Sequence, residues 1–97
     1  MRKDIEVGAV YSAHAYQDGE RLTKYGTYRF AILARSFQEV NGLGAYVYLG
    51  LKLDVDYSPY DDMSQCFWFD DEGVHKDLYI NFVLKRKLKR DYSIDEI

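Results

Sequence analysis

From Ala45 to Val55 the side chains alternate without a break, and a period of two is the spacing of a strand, not of a helix. The odd positions are Ala45, Val47, Leu49, Leu51, Leu53 and Val55, and the even ones are Tyr46, Tyr48, Gly50, Lys52 and Asp54. The pattern predicts a strand that buries its odd face and turns Tyr46 and Tyr48 outward. Leu78 to Lys85 repeats the alternation, with Leu78, Ile80, Phe82 and Leu84 on one side. Ile5 to Tyr16, Tyr28 to Phe37 and Gln65 to Phe69 are further runs rich in β-branched and aromatic residues. Gly8 marks a bend or bulge in the first of them.

Turn chemistry separates these runs: Gln17-Asp18-Gly19, Asn41-Gly42-Leu43-Gly44, Ser58-Pro59-Tyr60-Asp61-Asp62 and Asp70-Asp71-Glu72-Gly73. At the end, Ser93 and Glu96 have the spacing of a helix capping box, which predicts a short C-terminal helical turn. Five strands and tight hairpins in 97 residues predict a mainly β fold: a small, strongly bent, SH3-like barrel spanning 1–97 as one domain.

Composition narrows the function classes. The chain is 47% hydrophobic and 16% aromatic, with ten Tyr, which is the make-up of a chain that folds. No apolar run is long enough for a membrane helix, and the first residues lack the apolar stretch of a secretory signal. A cytoplasmic protein is expected. The single cysteine, Cys66, excludes an internal disulfide and reads as a buried structural thiol. His75, at a hairpin end, is expected in solvent. No dinucleotide, Walker, nucleophile-elbow or zinc-protease motif occurs, so neither a cofactor nor a metal is expected.

The net charge of -3 hides a segregation. Asp54 to Asp77 holds eight acids against Lys76 alone, and Lys85 to Arg90 then packs five basic residues into six positions. A basic strip of this kind can meet phosphate, and an acidic hairpin repels it. Two further basic groups, His14 and Arg29, flank a loop that a hairpin would fold back, which brings them near one another. Histidine transfers protons near neutral pH and arginine grips phosphate in a fork, the two roles that RNA cleavage through its own 2′-hydroxyl requires. Lys24, Arg35, Lys85, Arg86 and Lys87 are the candidate nucleic-acid ligands. Tyr46 and Tyr48, on the outward face, suit base stacking or a homodimer surface. Asp61 and Asp62 suit a phosphate mimic directed at the basic groove of a protein partner.

The order of these segments resembles the PemK/MazF toxins, small SH3-like barrels that cut RNA independently of the ribosome. The similar pieces are Val7-Gly8-Ala9-Val10-Tyr11, the loop from Gln17 to Gly26, Tyr28-Arg29-Phe30-Ala31-Ile32-Leu33, Trp68-Phe69-Asp70-Asp71 and the stretch from Leu78 to Ile97. The resemblance implies a dimeric, metal-independent single-stranded RNA endonuclease with a protein antitoxin. Arg29 would take the place of the catalytic arginine, and His14 that of a loop residue assisting it. Two departures stand out: Phe30 replaces the proline that follows the arginine, and Leu51-Lys52-Leu53 fills the region of the third-strand Ser or Thr. The alternative is a catalytically inactive binding module, such as a phage or mobile-element inhibitor of a host nucleic-acid enzyme.

Overall fold

The computed structural model describes residues 4–23, 27–53, 66–78 and 80–89. Its strands are β1 (Val10–Gln17), β2 (Glu20–Leu22), β3 (Tyr28–Val40), β4 (Leu43–Lys52), β5 (Cys66–Phe69), β6 (Val74–His75) and β7 (Asn81–Lys87). Strands make up most of the described residues, and none of these is helical. All seven belong to one antiparallel sheet in the order β5-β4-β3-β1-β7-β6, with β2 paired to β1 off that path. The sheet is not closed. The five expected strands are each present, with β1 starting at Val10 instead of Ile5, and β2 and β6 are short additions. The expected helical turn at 93–97 lies outside the described residues. No helix among the described residues is long and apolar enough to cross a membrane.

Two hairpins follow directly from dipeptides. Asp18 and Gly19 take φ values of 52° and 80° between β1 and β2, and Asn41 and Gly42 take 55° and 80° between β3 and β4. Positive φ at both central residues is the turn that matches the twist of paired strands, and Asx-Gly supplies it at least cost. Before β1, the chain still pairs with β3: the Gly8 amide donates to the Ile32 carbonyl at 2.7 Å, and the Ile32 amide to the Ala9 carbonyl at 2.9 Å.

The core is aromatic. Phe30, on β3, is fully buried, and its ring meets those of Phe67, Phe69 and Phe82 edge-on at centroid distances of 5.8, 5.0 and 5.1 Å. Ile5, Tyr11, Ala13, Ala15, Tyr28, Ile32, Tyr48 and Leu84 join them in the same cluster. A smaller cluster of Val10, Ala31 and Leu53, with Leu51 and Leu88 against it, covers part of the opposite face.

This arrangement reverses the expected phase of β4. The alternation is present, but Tyr48, Gly50 and Lys52 are the buried positions, while Leu49 and Leu51 are half-buried on the other side. The cause is Gly50. A Cβ there would lie 2.7 Å from the Phe69 ring, so the missing side chain is the space that Phe69 occupies. The even face therefore takes the aromatic core. Tyr48 is only 6% exposed and Tyr46 packs half-buried against the core, so neither forms the outward tyrosine stripe expected of them. Lys52 reaches the core rim with its ammonium 5.4 Å from the centroid of the Tyr28 ring.

Other expectations also change. Leu78 lies outside β7 and is exposed, while Phe82 and Leu84 are buried as the pattern requires. His75 is not a solvent-facing side chain: its ring sits among Phe67, Phe69 and Phe82, and its Nδ1–H donates to the Trp68 carbonyl at 2.8 Å. That bond joins β6 to β5, the two ends of the sheet. Cys66 is half-buried instead of enclosed, because β5 is an edge strand.

Candidate functional site

Strand period two decides which polar residues meet. In the β1–β3 ladder Ser12 stands opposite Arg29, and in the β1–β7 ladder His14 stands opposite Val83. Ser12 and His14, two apart on β1, share the face away from the aromatic core. Together with Thr27, Arg29, Lys85, Arg86 and Leu88 they line an open concavity of about 420 Å³.

An irregularity makes that grouping possible. Neighbouring residues of a regular strand face opposite ways, yet Lys85 and Arg86 both line the concavity. Between the pairs Tyr11–Lys87 and Ala13–Leu84 the register shifts by one, which leaves an extra residue on β7 opposite Ser12. Such a bulge re-aims the side chains beside it. Ser12 fills the gap: its hydroxyl donates to the Arg86 carbonyl at 3.4 Å and accepts the Arg86 amide at 3.3 Å. These are long bonds. Ser12→Ala is expected to lower stability by about 1 kcal/mol, the scale of a modest hydrogen bond, read as a shift in the urea midpoint.

The concavity sets the state of its histidine. Partial burial, then the nearby charges of Arg21 and Lys85, hold His14 below its ordinary pKa of 6.5. At neutral pH the imidazole is therefore uncharged and able to accept a proton. The unfolded chain binds that proton more readily, so His14 favours folding above 6.5. This contribution falls as the pH drops through 6.5 and levels off below the lowered folded value. NMR titration should place the His14 midpoint below 6.5, with Lys85→Ala moving it back upward. A midpoint at or above 6.5 would contradict the environment described.

The structure thus brings His14, Arg29, Lys85 and Arg86 together. Lys87 goes elsewhere: its ammonium pairs with Glu6, which raises its pKa and ties the segment before β1 to the end of β7. Arg35 lies far along β3, with its guanidinium 4.6 Å from the centroid of the Tyr46 ring. Lys24, Asp61 and Asp62 lie outside the described residues. Within the acidic turn, Asp70 accepts the amides of Glu72 and Val74, both at 2.9 Å, so that carboxylate holds the turn in shape. Sequence reading missed Ser12 and Thr27, although each stands two positions before a named residue, His14 or Arg29, the spacing that shares a strand face. Among the described residues no cluster of His, Cys, Asp or Glu could hold a metal ion.

The fold and this concavity together define an antiparallel β protein with a cation-lined polar cleft on the sheet face opposite its aromatic core. No protein-family model matches the chain, and comparison with curated proteins and with solved structures finds no match.

Proposed function

We propose that the protein is a metal-independent endonuclease of single-stranded RNA, of the toxin type that its segment order resembles. The observation that carries the reading is the convergence of an uncharged imidazole with three cationic side chains in one concavity. The shape that goes with it is a small SH3-like barrel of five main strands. Its support is the approach of the sheet's two ends, where the Phe67 and His75 ring centroids are 5.1 Å apart.

In this reading the scissile phosphate lies in the concavity, gripped by the Arg29 fork. His14 accepts the proton of the 2′-hydroxyl as that oxygen attacks phosphorus. The bond from phosphorus to the 5′-oxygen breaks, and the departing oxygen takes a proton from the Lys85 ammonium. A guanidinium holds its proton far more tightly than an ammonium does, so lysine suits the donor role better than arginine. The products are a 2′,3′-cyclic phosphate and a 5′-hydroxyl.

The test is incubation with a long single-stranded RNA in EDTA, beside a DNA of the same sequence. RNA cut to 2′,3′-cyclic phosphate ends with the DNA intact is expected. RNA left whole at protein excess would overturn the proposal.

A further inference from the structure

The β3–β4 hairpin outruns its neighbours. β1 pairs with β3 only as far as Ala31, and β5 pairs with β4 only from Tyr48 to Leu51. Beyond Ile32 the second edge of β3 has no strand partner among the described residues. The rest of the hairpin projects as a two-stranded arm, and such a ribbon is marginal in water without cover. A bulge between Ile32 and Ala34 and the charges of Arg35 and Glu39 interrupt this edge, but no proline lies on it and no further strand covers it among the described residues. Leu33 and Phe37 are exposed on it, Phe37 at 59%. Phe37 lies across Gly44, which has no side chain to obstruct the ring, and meets Tyr46 edge-on at 5.3 Å.

Cross-strand pairs show what this edge presents. Arg35 stands opposite Tyr48 and Phe37 opposite Tyr46, so Arg35, Phe37 and Glu39 line one face of β3 at two-residue steps. Positive, aromatic and negative groups are thus spaced evenly about Phe37. A twofold axis at Phe37 would bring Arg35 of one copy opposite Glu39 of another, and Phe37 opposite Phe37. Ser36 would meet Gln38 on the reverse face. Moving the register by one residue either way loses both ion pairs.

We infer that a second copy of this chain pairs along the free edge of β3, antiparallel about Phe37, so that the two sheets run on as one. A twofold interface must be self-complementary, and this edge is so in charge order as well as shape. Glu39 within the stripe makes the edge a poor platform for a polyanion. The inference stands apart from the RNA-cleaving concavity and does not use Tyr46 or Tyr48 as outward anchors.

The experiment is light scattering coupled to size-exclusion chromatography, over a dilution series, on the full chain and two charge variants. Wild type should elute as a dimer that dissociates on dilution. Glu39→Arg sets Arg35 against a second arginine, and Arg35→Glu sets two glutamates together. The axis repeats each clash, so each variant should dimerise about tenfold more weakly. Mixing the two variants should restore the dimer as a hetero-pair, because every opposed pair then has opposite signs. Within one chain positions 35 and 39 are about 13 Å apart along the strand, so rescue by mixing cannot arise inside a single copy. A wild type that is monomeric throughout, variants that dimerise as well as wild type, or a mixture that stays monomeric would each overturn the inference.

Discussion

Phe30→Ala is expected to leave the chain largely unfolded, or unfolding at the lowest denaturant concentrations. Phe30 is fully buried and its ring meets those of Phe67, Phe69 and Phe82, so its loss removes the ring that joins β3, β5 and β7. Truncating a buried Phe costs ~3–5 kcal/mol once the cavity is counted. A domain of this size has only about 5–15 kcal/mol in all, so one substitution consumes a large share of it. Trp68 is the only tryptophan, on an edge strand beside the core, and its fluorescence reports the transition. Phe37→Ala is the control. That ring is exposed on the arm, and its removal from a dilute sample should move the urea midpoint far less. Equal effects from the two substitutions would contradict the core as described.

Arg29→Ala should abolish most RNA cleavage without unfolding the protein. The guanidinium belongs to the concavity that faces away from the core, so its removal leaves the aromatic packing untouched. Loss of one well-placed group that stabilises developing charge costs about 10²–10³ in kcat. Arg29→Lys keeps the charge but not the two-pronged fork, and should recover only part of the rate. His14→Ala removes the proposed general base, for which the expected loss is about 10²–10⁴. Circular dichroism on each variant separates loss of chemistry from loss of fold. Cleavage that survives Arg29→Ala undiminished would remove Arg29 from the reaction.

Much of the fold was legible because strand period and turn chemistry are local. Asp18-Gly19 and Asn41-Gly42 specify their hairpins through backbone conformation alone. The phase of β4 was not legible, because hydropathy ranks Leu49 and Leu51 above Tyr48, Gly50 and Lys52. What reversed it was the fit of the Phe69 ring against Gly50, a contact with a strand that follows much later in the chain. His75 was misread for the same reason, since its aromatic neighbours come from β5 and β7.

The concavity was legible in part. His14 and Arg29 could be placed together from the hairpin order. The arrival of Lys85 and Arg86 depends on the bulge opposite Ser12, and no local pattern marks where a ladder gains an extra residue. Lys87 shows the limit of reading a basic run as one surface: two positions past Lys85 it pairs with Glu6 instead of facing the cleft.

The central claim is that RNA phosphate sits on the face holding His14, Arg29 and Lys85. NMR titration with a 2′-O-methyl RNA, which cannot be cut through its own 2′-oxygen, tests it most directly. Shifts concentrated at Ser12, His14, Thr27, Arg29, Lys85 and Arg86, and lost in Arg29→Ala, are the predicted result. Shifts confined to the β3–β4 arm, or no shifts at saturating RNA, would contradict the account.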